Sequence, residues 1–482
     1  MGKYVYYPDH LVALGLPPLS HLFTRPFAYL GHVAQLIKNL KDEPAFENAL
    51  SSVINLYKPR QAPEKEVNDI SVGHYLERRF GSRSLVDNLM SAMIHGIYGG
   101  DVWKLNLDSS PLRWRKRAVH GQAEKGVKVM PTADVELLNA MAHEQRRAVV
   151  GLWTHGWSKG QVGQDPEWFW FKDGFKTLTD ALAANLMKNP NITIKMSEPV
   201  TSLLYNAADQ VALRATKDRK TVLYDKVIST LFAGTLSPLV KPGLVPTLRE
   251  SKAVTIQLVN LWYPTPRLNH PAHGFGYLIP QSVPYEQNPE CALGVIFDSD
   301  REAGWDFDSS TQRTADTVPG TKFTVMLGGH YWDDLPKNMW PSGEEAIEMA
   351  KRVLARHLRI PQEETDRAVG STKTCRQCIP QHFVGHRARM SKLERELQTA
   401  FRGRLAVIGG SYQLPGVLPS IRAAWDISKQ VEREYNPNFA PPWKEGNDAH
   451  LQRVGPTGLG RVAHEMQFST FLEERAKESW GY

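Results

Sequence analysis

The chain has 482 residues, 41% hydrophobic and 23% charged, enough to bury a large core and to divide into about three domains of ~150 residues. Its formal charge of +7 suits an anionic ligand or a membrane surface, but no zinc finger, basic-region heptad or aromatic RNA-binding signature accompanies it, so nucleic-acid binding is not expected. Three cysteines give no disulfide framework and indicate a reducing compartment, and no uninterrupted apolar run of ~20 residues offers a membrane span.

Lys3 to Tyr7 reads as a strand entered almost at once, with no basic, acid-poor leader before it. The apolar stretch from Leu11 to Phe23 is broken by Pro17, Pro18 and His21. From there to about Trp153 the signals are mostly helical: His32 to Leu40, the Asp69-Ile70-Ser71-Val72 start leading to Phe80, Leu85 to Ile94, and a longer helix opened by Asp134. Between them, Ser110 to Lys128 carries Arg113, Arg115, Lys116, Arg117, Lys125 and Lys128 around Trp114. Such a run either seats at a lipid headgroup layer or forms a solvated loop. In His95-Gly96-Ile97-Tyr98-Gly99-Gly100-Asp101, three glycines let backbone approach a neighbour or ligand, and the last two also fit a helix-ending turn.

Past Thr154 the pattern alternates: an amphipathic helix from Phe175 to Asn189, then strands Ile192 to Met196, Val211 to Thr216 and Asp225 to Leu231. Longer strands follow, Val254 to Tyr263, Gly274 to Pro280, Leu293 to Asp298 and Phe323 to Leu327, a sheet backed by the helix Glu344 to Leu358 and able to wall a ligand cavity. Cys375-Arg376-Gln377-Cys378 has thiol-redox spacing, but Ile379-Pro380 follows where a helix should open, so it reads as structural. The run Leu405 to Ile408, then Gly409-Gly410-Ser411-Tyr412, the Pro415-Gly416-Val417 turn and a helix through Ile427 bring bare backbone and a helix N-terminus towards a ligand. A flavin nucleotide suits that place. Gly458-Leu459-Gly460-Arg461 matches a dinucleotide fingerprint only formally, since no strand precedes it. With no hydrolase triad, metal cluster or phosphate loop in view, a cofactor is expected to carry the chemistry.

Taken in order, His95 to Asp101, Gly274 to Pro280, Gly294 to Ser299, Thr324 to Gly329, Cys378 to Gln381 and Gly409 to Tyr412 resemble the protoporphyrinogen oxidase family, especially its fungal members, from about Lys3 to Val431. The resemblance implies an FAD enzyme of haem biosynthesis in the amine oxidase superfamily, taking six electrons from protoporphyrinogen IX and passing them to molecular oxygen. It implies an amine-oxidase-like fold of α/β plus α+β class: a Rossmann-type FAD domain, incomplete here, a mixed-sheet substrate domain and a helical domain resting on the membrane surface. The corresponding ranges are 4–153 for the membrane-binding domain, 154–250 and 403–436 for the FAD domain, 251–402 for the substrate domain, and 437–482 for a linker and polar tail.

By position in the family's motifs, Val200, Gly410, Pro415, Gly416 and Val417 are expected to contact FAD. Phe275, Leu278, Ile296 and Met326 are expected to hold the macrocycle, with the Gly96 carbonyl facing it and Lys3 near a propionate where the family often has arginine. His95 likewise replaces an arginine of some members. The family's opening strand, G-x-G-x-x-G turn and helix should precede Lys3, and their expected absence weakens FAD binding. A mitochondrial inner-membrane location, peripheral and monotopic, a homodimer and a contact with ferrochelatase are further expectations of the resemblance. The alternatives are a non-catalytic porphyrin-binding or membrane-associated remnant, and another FAD enzyme of the superfamily.

Overall fold

The computed structural model describes residues 3–14, 42–57, 69–110, 127–131, 171, 174–216, 220–300, 318–436, 454–463 and 468–472. They fall into two compact units, each assembled from two separate stretches: residues 1–110 with 252–384, and 111–251 with 385–482. In chain order the strands are β1 (Lys3–Tyr6), β2 (Leu11–Leu14), β3 (Val127–Pro131), β4 (Val200–Tyr205), β5 (Val211–Ala215), β6 (Thr221–Tyr224), β7 (Val227–Ser229), β8 (Lys252–Tyr263), β9 (Gly276–Leu278), β10 (Ala292–Phe297), β11 (Thr321–Gly328), β12 (Val369–Gln381), β13 (Leu405–Val407) and β14 (Phe468–Leu472). Helices of eight residues or more are α1 (Ala49–Tyr57), α2 (Val72–Phe80), α3 (Ser91–Tyr98), α4 (Lys176–Leu186), α5 (Gly343–Leu358), α6 (His386–Phe401) and α7 (Val417–Tyr435).

The first unit is organised by a sheet of order β12-β8-β11-β10-β9-β1-β2, antiparallel except where β1 runs parallel to β9. Successive side chains of a strand point to opposite faces, and here that alternation separates a core face from an open one. Val259, Leu261, Tyr277, Val295, Phe297, Phe323 and Val325 share the core face and are almost fully buried, packed with Ala346, Ala350, Val353 and Leu354 of α5. Burying a side chain such as Phe297 stabilises the unit by about 1.5–3 kcal/mol. α5 starts where Ser342 Oγ accepts from the Glu345 N–H and the Glu345 carboxylate accepts from the Ser342 N–H. This reciprocal cap satisfies two donors that a helix start otherwise leaves open.

The second unit holds the parallel pair β13 and β7, the antiparallel sheet β4-β5-β6 and the antiparallel pair β3 and β14. α6 buries Met390, Leu393, Leu397 and Phe401, residues three and four apart on one face, against Leu405, Val407 and Leu248.

Several sequence expectations are corrected here. Ile192 to Met196 forms no strand and pairs with none among the described residues, and Ile192, Ile194 and Met196 are exposed. α4 forms as expected yet buries none of its residues. The stretch from 4 onward is not one helical domain: β1 and β2 complete the sheet, and residues to 110 group with it because β1 finds its ladder in β9. The boundary expected after 402 falls after 384, because α6 packs in the second unit. Nor is 437–482 only a polar tail, since Val454, Leu459 and Ala463 are buried, and a Cβ at Gly458 would lie 2.7 Å from the Val407 carbonyl oxygen. The Ser110 to Lys128 stretch lies outside the described residues except at its ends, and the helix expected from Asp134 to Trp153 lies wholly outside them.

Candidate active site

The open face of the first unit's sheet gathers four of the residues singled out by sequence. Leu278 pairs with Gly294, Gly294 with Met326, and Met326 with Leu258, which puts those side chains in one row across four strands. Ile296 pairs with Gly276, and Gly276 with Lys3, so Ile296 and Lys3 stand in the next row on the same face. Leu278, Ile296 and Met326 are half-buried, in contrast with their fully covered strand neighbours. Phe275 precedes β9 and is also half-buried, its carbonyl accepting from the Phe297 N–H at 3.0 Å.

α3 closes one end of this face. Its first turns follow a π-helical insertion at Val86–Met90, and it ends at Gly99, whose left-handed φ of 60° and N–H to the His95 carbonyl make the cap. Gly96 packs against Leu278 so closely that a Cβ there would sit 2.4 Å from Leu278 Cδ2. The same leucine fills the space a Cβ on Gly294 would need, at 2.9 Å. Beyond Ile296 the face turns polar, with the Thr324 hydroxyl within hydrogen-bond distance of Asn260 Oδ1 (2.8 Å) and Asp298 Oδ2 (2.6 Å).

Beside Gly96 lies a buried polar pair that sequence reading did not connect. His95 Nδ1 is 3.1 Å from the Ile279 carbonyl oxygen, an acceptor, which fixes the proton on Nδ1 and leaves Nε2 to accept from the His330 Nε2–H that meets it. Burial first, and the neighbouring imidazole second, lower the His95 pKa to about 3. Burial, then the charge of Lys104, lowers His330 to about 4. Both rings are neutral at pH 7 and stack at 4.4 Å, tying α3 to the turn that follows β11. Only sequence separation hid the pair, since nothing local to His95 announces His330.

In the second unit, β13 runs out at Gly409, where φ is 111°, and the chain turns through Gly410 and Pro415 into α7. The turn is pinned from below: Ser411 Oγ accepts from the Ala233 N–H at 3.2 Å, Gln413 Oε1 accepts from the Gly409 N–H at 2.7 Å, and Tyr412 is fully buried. Gly416, φ 131°, caps α7 without a side chain, and the first turn presents Val417, Leu418 and Ile421 as exposed apolar groups. Val200 opens β4 and leans on the core of this unit.

Residues 25–288 match the family of flavin containing amine oxidoreductases. The chain belongs to that family. It is 26% identical over 420 residues to the protoporphyrinogen oxidase of Schizosaccharomyces pombe, covering 85% of this chain and 74% of the relative. It is 26% identical over 388 residues to that of Saccharomyces cerevisiae, covering 76% and 71%. The fold matches a crystal structure from Exiguobacterium sp. 255-15, provisionally named a protoporphyrinogen oxidase, with TM-score 0.58 and 16% identity over 90% of this chain and 80% of the other.

The family's cofactor is a flavin, here FAD. The residues present fit its ring end: bare backbone at Gly409 and Gly410, then an uncapped helix start whose exposed Val417, Leu418 and Ile421 suit a flat apolar surface. Among the described residues no glycine-rich strand, turn and helix stands ready for the pyrophosphate.

Proposed function

We propose that this member of the flavin amine oxidoreductases is a protoporphyrinogen oxidase, removing six electrons from protoporphyrinogen IX with oxygen as the final acceptor. The observation that carries the reading is the extent of its likeness to two fungal protoporphyrinogen oxidases, 85% and 76% of the chain. A half-buried apolar sheet face of the kind a flat macrocycle needs supports it. Bound FAD supplies a two-electron acceptor that oxygen can regenerate.

On this reading the chain's own residues place the substrate. Leu278, Ile296, Met326 and Phe275 lie against the ring and exclude water from it, as aliphatic and aromatic walls do for a planar apolar ligand. Gly96, lacking a side chain, lets the α3 backbone close on the same wall, its carbonyl turned to the pyrrole nitrogens. The Lys3 ammonium neutralises one propionate as a point charge, without the two-pronged grip of an arginine. Val200, Gly410, Pro415, Gly416 and Val417 contact the flavin. A Rossmann-type segment that cradles the pyrophosphate completes the FAD domain.

Attachment to the surface of the mitochondrial inner membrane, a homodimer and a contact with ferrochelatase belong to the same proposal. The net charge of +7 and the basic residues between Ser110 and Lys128 support the membrane part. No helix among the described residues is long and apolar enough to cross a bilayer.

The test uses the FAD-loaded chain, mixed with protoporphyrinogen IX without oxygen and then with it. Bleaching of the flavin followed by porphyrin fluorescence is expected, and Leu278→Asp should weaken binding by setting an unpaired carboxylate against the ring. A flavin-loaded protein that leaves protoporphyrinogen untouched overturns the assignment. Unchanged affinity in a folded Leu278→Asp protein overturns the wall.

A further inference from the structure

The first unit carries a cavity of about 450 Å³ that the proposed reaction does not use. It lies at the far end of β8, where Ala253 and Thr255 line it, beneath the turns that follow β11. Its size is that of a small-molecule site and far exceeds what one inorganic ion needs. Four cations surround it, Lys104, Lys252, Lys337 and Arg376, against two carboxylates, Asp333 and Asp334, leaving an excess of positive charge.

Three of the four cations are not spent on the protein's own acids. Lys104 pairs with Asp101 at 3.9 Å, but no carboxylate of the described residues comes within ion-pair distance of Lys252, Lys337 or Arg376. Arg376 is lifted out of β12 by the bulge between Cys375 and Ile379, where Gln377 has a left-handed φ of 47° and its N–H donates to Thr255. The redox-like cysteine spacing thus serves to aim a guanidinium: both thiols are free, and the two residues between them form the lip of the cavity.

The remaining wall is apolar and flat. Trp332 and Trp340 stack at 5.6 Å with an interplanar angle of 22°, and Leu335 and Phe383 adjoin them.

We propose that this cavity binds a small organic phosphate or dicarboxylate whose doubly charged end meets Lys252, Lys337 and Arg376 and whose flat body lies against Trp340, backed by the buried Trp332, and Phe383. The charge excess recognises the anion, the aromatic wall recognises the body, and neither suffices alone. The inference is independent of the reaction proposed above.

Titration calorimetry on the full chain tests it with phenyl phosphate, inorganic phosphate, phthalate and phenol. Phenyl phosphate is expected to bind at least tenfold more tightly than inorganic phosphate, which lacks the body, and than phenol, which lacks the charge. Phthalate, a dicarboxylate on a flat ring, at comparable strength assigns a dicarboxylate as the occupant, and silence from phthalate assigns a phosphate ester. Lys252→Met and Arg376→Met, both at exposed positions, should each weaken phenyl phosphate about tenfold, the loss of one charge-assisted bond. Asp333→Asn should tighten it, because it removes a negative charge from the same wall. No heat with either phenyl phosphate or phthalate overturns the proposal. So does equal binding of phenol and phenyl phosphate, or a folded Arg376→Met and Lys252→Met pair that binds as the parent does.

Discussion

Replacing Gly96 by alanine puts a methyl group 2.4 Å from Leu278 Cδ2, 3.0 Å from Cδ1 and 3.2 Å from Cγ. Backbone need not yield, because the obstructing atoms are the end of a flexible side chain. Leu278 must leave its rotamer, at about 0.5–1.5 kcal/mol, within the roughly 1–3 kcal/mol range of overpacking. Alanine in the last turn of α3 returns up to about 0.8–1 kcal/mol of helix propensity over glycine. The two nearly cancel, so global stability in urea should move by less than about 1 kcal/mol. The displaced isobutyl group, however, swings along the open face of the sheet, and porphyrin affinity should fall about five- to tenfold, the equivalent of roughly 1–1.4 kcal/mol. The decisive measurement repeats the substitution in Leu278→Ala. With the obstruction gone, Gly96→Ala should then stabilise by about 1 kcal/mol and leave porphyrin affinity alone. Identical effects of Gly96→Ala in both backgrounds would refute the packing of α3 on the substrate wall.

Other outcomes follow from the same geometry. Gly276→Ala should prevent folding of the first unit, since at φ 136° its methyl would lie 2.1 Å from the Val295 carbonyl oxygen; circular dichroism and solubility report it. Burial pulls the Glu290 carboxyl up, but two 2.8 Å bonds from Arg356 and its charge bring it below the usual range; with Arg352 left as a partner at 3.4 Å, Arg356→Ala should cost about 1.5–3 kcal/mol at pH 7. That difference should shrink as pH falls through the lowered carboxyl pKa, and a difference that stays constant throughout the acid titration would contradict it. His95 and His330 fold as neutral rings with lowered pKa values, so their contribution is present above about pH 6.5 and is lost as the pH falls towards about 4 and then 3. Urea midpoints should fall with a slope of up to about 1.4 kcal/mol per pH unit for each ring, and His330→Gln should flatten it.

The sheet of the first unit was legible in sequence because β11 buries one face and leaves the other half open, which writes period two into it, while β10 reads as a short continuous apolar run and β8 as a long one broken by polar residues. β12 was not legible. Its residues Val369 to Gln381 are largely polar and exposed, and the strand is held by its hydrogen-bond ladder to β8 with hardly any buried face to leave a pattern. β4 escaped for a related reason, since only Leu203 of its six residues is fully buried. Ile192 to Met196 misled in the opposite direction: its alternation of apolar and polar residues is that of a strand, yet no ladder partner stands beside it among the described residues. For the site, ordered motifs picked out Leu278, Ile296 and Met326, and register puts them on one face. The His95 and His330 pair depends on two segments 235 residues apart meeting, which no local pattern encodes.

The pairing of β1 with β9 bears on how the protein is made. Lys3 faces Gly276, so β1 leaves the ribosome roughly 270 residues before its partner exists, a wait of roughly 15–50 s at ordinary synthesis rates. Throughout that interval Val5 and Tyr6, fully buried in the finished sheet, and the edge they carry have only β2 for cover. An early hairpin held open for tens of seconds is a target for chaperones and for pairing with a neighbouring nascent chain. Yield during expression should therefore respond to slowed translation and to holdase supply more strongly than the stability of the folded protein would suggest.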